Sequence, residues 1–267
     1  MEQIEGIAYR KQSGKEDTEA QKFIKSSDNA SEKTEIIITN ARPSMSLDDV
    51  VFPYHDMKDL KNRIVYYETS RGCPYGCSYC LSSVEKNVRF RSMELVKKEL
   101  QFFLDQKVPQ VKFVDRTFNC NEKHTMEIWQ YIKEHDNGIT NFHFELSADI
   151  LTKKEIEYVR TFRDGLVQFE IGVQSTNPDT IQAIHRKMDL DRLKENVAMV
   201  HQERNIHQHL DLIAGLPYEN LQSFHRSFND VYAMQPDQLQ LGFLKVLKGS
   251  PMHRMAKEYG IQYHSKP

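Results

Sequence analysis

From Ile64 onward two hydrophobic rhythms alternate along the chain. Short apolar runs begin near Ile64, Val111, Phe142, Val167, His207 and Leu239, and each of the first five is followed by a stretch of helical periodicity. From Met93 to Asp105, Val96, Leu100, Phe103 and Leu104 recur at i, i+4, i+7 and i+8, which makes one apolar stripe. Asp149 or Thr152 is placed to cap a helix running to about Phe162, and Asn177-Pro178-Asp179 reads as a helix start with proline in the first turn. Strand and helix in repeated alternation predict parallel strands joined by crossover helices.

The strands also carry a period of two. Val167, Phe169, Ile171 and Val173 alternate with Gln168, Glu170, Gly172 and Gln174, so the two rows face different media. The polar row recurs as His143, Glu145 and Ser147, as His207, His209 and Asp211, and as Gln238, Gln240 and Gly242. A strand packed under helices places its apolar row there, which leaves the polar row to line the other side. An antiparallel sheet with one wet face alternates in the same way, but the intervening helices argue against it. The fold class expected is therefore α/β, a partial (β/α)6 parallel barrel with a polar lumen. Ligands in such barrels sit at the C-terminal ends of the strands.

Residues 1–60 read differently. An apolar piece, Ile4 to Tyr9, precedes a polar stretch, Lys11 to Lys33, expected to be mobile because it has little to bury. Glu35 to Thr39 reads as a strand, and Pro43, Asp48, Asp49 and Pro53 mark an irregular connector. The expected division is a linker with short strands over 1–60, the tail of a preceding domain, and a core domain over 61–267.

Composition narrows the class. The 267 residues are 39% hydrophobic and 28% charged with a net charge of -2, which describes a globular protein without a global basic footprint for nucleic acid. No apolar run reaches the roughly 18 residues of a membrane span, and Met1 to Arg10 lacks a signal-peptide pattern. A cytoplasmic location is expected.

Three of the four cysteines fall in Ser70-Arg71-Gly72-Cys73-Pro74-Tyr75-Gly76-Cys77-Ser78-Tyr79-Cys80, spaced C-x3-C-x2-C with glycine and proline between them. A structural zinc site needs four ligands, commonly as two pairs, and no second pair exists. An iron-sulfur cluster on three cysteines keeps one iron open to another ligand. A thioredoxin-like dithiol at Cys77 and Cys80, or buried unreactive thiols, are the alternatives, and neither accounts for the third cysteine. His207 and His209 suggest a metal pair but lack a third ligand nearby, so hydrogen-bonded lumen histidines are expected. Cys120, alone in the sequence, is expected as a packed small side chain.

This stretch, with an aromatic residue before its last cysteine, resembles the motif of radical S-adenosylmethionine (SAM) enzymes. The resemblance extends from about Ile64 to Phe243 through Val114 to Asn119, Gln168 to Ser175 and Asp211 to Pro217. It is closest to B12-binding-domain radical SAM proteins and to the cores of oxygen-independent coproporphyrinogen oxidases and methylthiotransferases. It implies that Cys73, Cys77 and Cys80 ligate three irons of a [4Fe-4S] cluster and that SAM chelates the fourth. Tyr66 and Tyr79 would lie near adenine and cluster, and Glu145 at the amino acid end of SAM. Gln174 and Arg186 would meet ribose and carboxylate, Asp211 a ribose hydroxyl, and the backbone of Ile213 the adenine. Where such enzymes carry a glycine-rich turn, this chain has Asp115-Arg116-Thr117-Phe118, so Asp115 stands as a SAM contact or as a cap.

The implied reaction is reductive cleavage of SAM to methionine and a 5'-deoxyadenosyl radical that takes hydrogen from an unidentified substrate, with electrons from a flavodoxin or ferredoxin. A catalytically silent iron-sulfur protein and a dithiol reductase remain as other readings. The resemblance also implies a cobalamin domain outside this chain. No D-x-H-x-x-G cobalamin signature occurs in these residues, so cobalamin-assisted methyl transfer is an expectation for a longer protein only.

Overall fold

The computed structural model describes residues 4–11, 35–61 and 63–262. The stretch expected to be mobile lies almost wholly outside them. Two compact units divide at Met45 and Ser46. In the first, strands β1 (Ala8–Lys11) and β2 (Glu35–Ile38) pair antiparallel, and Gly6 N donates to Asn40 O at 2.7 Å to extend the ladder.

The second unit contains six parallel strands: β3 (Val65–Tyr67), β6 (Gln110–Phe113), β7 (Asn141–Leu146), β8 (Val167–Gln174), β9 (His207–Ala214) and β10 (Gln238–Phe243). A two-residue antiparallel ladder, β4 (Ser70–Arg71) with β5 (Arg89–Phe90), intervenes after β3. The six strands lie side by side in chain order, all pairs parallel, with β3 and β10 at the two edges. This is the expected partial (β/α)6 barrel.

Helices α1 (Met93–Asp105), α2 (Glu122–Glu134), α3 (Lys153–Val159), α4 (Pro178–Ala183), α5 (Leu190–His201) and α6 (Leu221–Tyr232) connect the strands, and α7 (Pro251–Met255) follows β10. Their starts are set locally. Asn121, Thr152, Asn177, Asp189 and Asn220 each accept a hydrogen bond from a first-turn backbone N–H. Thr152 and Glu155 form a reciprocal capping box, so Thr152 caps α3. Asp149 instead accepts from the Ser147 hydroxyl and from Asp189 N.

The apolar stripe of α1 is buried as expected, and so is the outward row of β8, Val167 to Val173. Between sheet and helices the core is aromatic. Trp129 stacks on Phe169 with centroids 5.8 Å apart, and Phe118 sits 4.2 Å from Phe144. Such rings pack as rigid bodies and hold the sheet's outer face against the helices.

Two features depart from the sequence pattern. Residues 46–60, expected as linker, belong to the same compact unit as the sheet. Leu47 is buried and its carbonyl accepts from Arg91, Ser92 N donates to Asp48 Oδ1 at 2.7 Å, and Phe52 meets Tyr67, Phe102 and Phe103 edge-on. The segment looks like a linker in sequence because its few apolar residues lack periodicity. The second departure is β10, whose outward Leu241 and Phe243 are 50% and 82% exposed.

A buried ion pair ties α1 to this framework: Arg91 Nη2 and Glu99 Oε1 lie 2.5 Å apart, and the Tyr67 hydroxyl donates to Glu99 Oε2 at 2.7 Å. Removing one partner strands the other charge away from water. Glu99→Ala is expected to lower unfolding free energy by about 3–5 kcal/mol, read by urea denaturation, and Tyr67→Phe by about 1–3 kcal/mol.

Candidate active site

The site forms where the Cys73–Cys80 loop, just past β3, bends over the C-terminal ends of the strands. The β4–β5 ladder closes the neck of this loop, with Cys73 N donating to Glu85 O at 2.9 Å. Gly72 adopts φ +104°, and a Cβ there would sit 2.6 Å from Asn87 O, so only glycine fits the turn. Further along, Ser78 N donates to Ile184 O (2.8 Å) and Ser78 O accepts from Met252 N (2.7 Å). Backbone bonds to other segments thus fix the loop on both sides of Cys77.

Cys73, Cys77 and Cys80, all free thiols, line one cleft open to solvent. Tyr79, Glu145, Gln174, Arg186 and Asp211 line it as well, so eight of the residues singled out in the sequence are brought together. Arg186 joins loop to sheet. Its Nη1 lies 3.8 Å from Cys77 Sγ and 3.2 Å from the Tyr79 hydroxyl, while Nη2 donates to Gly172 O. Gln174 sits at φ +72° where the β8–β9 register shifts, a backbone conformation that costs about 1–3 kcal/mol in a non-glycine residue.

Three expected contacts are not in the cleft. Asp115 is fully buried behind the loop, accepting from Thr69 N, the Thr69 hydroxyl and the Ser70 hydroxyl at 2.6–3.0 Å, so its carboxylate holds the approach to the cysteines. Burial, only partly offset by those bonds, pushes its pKa up to about 6. Tyr66 is 56% exposed on the edge strand, where it lines a second pocket with Leu47 and residues 50–54. Ile213 packs with Tyr79 around Ile184, Leu216 and Met252. Cys120 is half-buried, and burial with the neighbouring Asp115 and Cys73 pushes its thiol up to about 11.

Several cleft residues were not among the expected ligand contacts. Thr117 Oγ1 lies 3.5 Å from Cys73 Sγ, and Tyr75, Arg116 and Ser147 line the wall. Beneath them the inward rows are charged. Lys112 Nζ lies 2.6 Å from Glu170 Oε2 and 3.7 Å from Glu145, His143 Nε2 is 2.9 Å from Glu170 Oε2, and His209 Nε2 is 3.1 Å from Asp211 Oδ1. The His143 contact, opposed by burial and reinforced by Lys112, holds the Glu170 carboxyl at about 2. Burial, reinforced by the Glu170 charge, moves Glu145 the other way. His209 is raised by the Asp211 carboxylate against the effect of burial. His207 is exposed.

The sequence profile described as the radical SAM superfamily matches residues 67–231. The chain belongs to this superfamily. Among curated relatives it is 26% identical over 211 residues to the cobalamin-dependent radical SAM methyltransferase TokK of Streptomyces tokunonensis, covering 73% of this chain and 30% of TokK. The oxygen-independent coproporphyrinogen-III oxidase-like protein HemZ of Bacillus subtilis is 26% identical over 171 residues, 51% of this chain and 34% of HemZ. In fold it resembles the cobalamin-dependent SAM radical enzyme OxsB, solved with aqua-cobalamin and SAM, with TM-score 0.66 and 16% identity over 87% of this chain and 42% of OxsB. The chain spans about a third of the length of the curated relatives it matches. Members of the superfamily are enzymes that carry a [4Fe-4S] cluster and use SAM, some with cobalamin. Among the described residues no helix is long and apolar enough to cross a membrane.

The Glu170 carboxyl gives a pH signature. Its folded pKa of about 2 lies below its ordinary 4.5, so the stabilisation is fully present above pH 4.5 and is lost as pH falls towards 2. Wild-type protein is expected to lose more stability across that window than Glu170→Gln, measured by urea unfolding at a series of pH values.

Proposed function

We propose that Cys73, Cys77 and Cys80 hold three irons of a [4Fe-4S] cluster and that the cleft beside them binds SAM for reductive cleavage. The observation that carries this reading is the convergence of three free thiols, with no fourth protein thiolate among the lining residues, on a cleft whose opposite wall is polar. The cleft fits such a ligand in two further respects. Gln174 Oε1 and Arg186 Nε are buried without a partner, which costs free energy unless a bound group supplies one. A Cβ at Gly172 would collide with Gln174 Nε2 and reach within 3.7 Å of Arg186 Nη2, so glycine keeps the cradle open.

A [4Fe-4S] cluster held by Cys73, Cys77 and Cys80 would supply the low-potential electron for reductive cleavage of SAM bound in the cleft. The chain's own residues orient the partners. Arg186 is the cation that faces the SAM carboxylate while bracing Cys77 and Tyr79. Glu145 accepts from the ammonium group, and Asp211 and Gln174 from ribose hydroxyls. Tyr79 and Ile213, packed on the same apolar cluster, would wall the adenine side and exclude water from the cleft.

A low-potential electron donor of the flavodoxin or ferredoxin type and a cytoplasmic location belong to the same reading, since a cluster on reduced thiolates needs both reducing power and a reducing compartment. Cobalamin-assisted methyl transfer is the second reading, favoured by the likeness to TokK. It concerns a longer protein, and the substrate is set by residues beyond the shared core.

Anaerobic reduction of the iron-loaded protein with dithionite and SAM is expected to release 5'-deoxyadenosine. Cys77→Ala should abolish both the cluster's visible absorption and that release; retention of either would sink the reading. Gly172→Ala should keep the iron but weaken SAM binding at least about ten-fold by calorimetry, because the added methyl fills the cradle.

A further inference from the structure

The sheet ends on an unguarded edge. β10 pairs with β9 on one side, and among the described residues no strand pairs with the other. Leu244 N donates to Ala214 O at 2.9 Å, so along this strand the even-numbered residues turn their N–H and C=O groups to β9. Those of Leu239, Leu241 and Phe243 turn to the open edge. Proteins block such edges with charge, proline, a bulge or a covering element. β10, Gln238-Leu239-Gln240-Leu241-Gly242-Phe243, carries no charged residue and no proline, and Leu241 and Phe243 are exposed.

The edge is also complementary to itself. A two-fold axis at Leu241 sets β10 antiparallel to β10 of a second copy. Leu241 then faces Leu241, Leu239 faces Phe243 and Gln240 faces Gly242, while Asp237 just before the strand faces Lys245 just after it. Asp237 and Lys245 are both exposed. The apolar pairs are the ones whose backbone groups point to the edge, so each pair can exchange both hydrogen bonds. Moving the axis by one residue ruins the match. At Gln240 it sets Asp237 against Phe243, and at Gly242 it sets Lys245 against Leu239.

Helix α6, which joins β9 to β10, adds a second apolar surface. Leu221, Phe224, Phe228 and Tyr232 recur along it at i, i+3, i+7 and i+11, one stripe of the helix. Phe224 and Phe228 pack partly on the core, which turns the stripe to the outer face of the sheet, yet Leu221 and Tyr232 are 85% and 65% exposed.

We propose that the β10 edge, flanked by α6, is a homodimer interface in which two β10 strands pair antiparallel about a two-fold axis at Leu241. The pairing joins two six-stranded sheets into one, buries Leu241 and Phe243, and ends on an Asp237–Lys245 ion pair at each side. A second copy suits this edge because one sequence supplies both halves of every pair. The interface does not depend on what the cleft binds.

The test is sedimentation velocity on the full chain at micromolar concentration, with carbodiimide cross-linking read by mass spectrometry. A reversible dimer is expected, with a zero-length link between Asp237 and Lys245. Within one chain the extended strand holds these two residues about 26 Å apart, so the link reports two copies. Leu241→Lys, the residue type that natural edge strands use, should raise the dimer dissociation constant at least about ten-fold with unchanged circular dichroism. Lys245→Asp should weaken the dimer, and adding Asp237→Lys should restore it. Asp237 Oδ2 accepts from Gln208 N at 2.8 Å, so where Asp237→Lys does not fold, Leu241→Lys and the cross-link decide. A chain that stays monomeric overturns the proposal, as does a dimer that Leu241→Lys leaves intact or that lacks the Asp237–Lys245 link.

Discussion

Everything in the sheet follows from the rule that successive side chains of a strand point to opposite faces. On the outer face Val167, Phe169, Ile171 and Val173 meet Trp129 and its aromatic neighbours, and this packing fixes the strands against the helices. The inner face then has no choice of residues left to bury. It presents Lys112, His143, Glu145, Glu170, His209 and Asp211 to a shared space, and charges brought so close must pair. The Lys112–Glu170–His143 contacts and the His209–Asp211 contact are thus consequences of the same geometry that builds the core.

The cysteine loop rests on a different device. Its thiols converge because backbone groups on either side of Cys77 are tied to Glu85, Ile184 and Met252, far apart in sequence. Asp115 supports the same loop from behind through Thr69 and Ser70. Fully buried, its carboxylate is occupied by bonds to the chain that carries the cysteines. Arg186 completes the arrangement by touching loop and sheet together, so a change at the cleft floor is felt at Cys77.

Much of this was legible in the residues alone. Six strands, their order, their parallel sense and the identity of the inward rows all come from local periodicity, which backbone geometry translates directly into faces. The C-x3-C-x2-C loop is equally local, since its glycines and spacing serve one turn. Helix starts at Thr152 and Asn177 are local too, because a cap needs only its own first turn.

Other features required the assembled fold. Residues 46–60 look like linker, yet Arg91 and Phe103 hold them on the sheet unit through contacts that span some forty to fifty residues. Tyr66 and Asp115 stand in the expected motifs but face an edge and a buried loop, because the neighbours that compete for a side chain are set by register. The same register brings Glu170 beside His209. A strand's own sequence states which residues share its face, whereas only the pairing of strands states which residues on different strands meet, and chemistry at this site depends on the second.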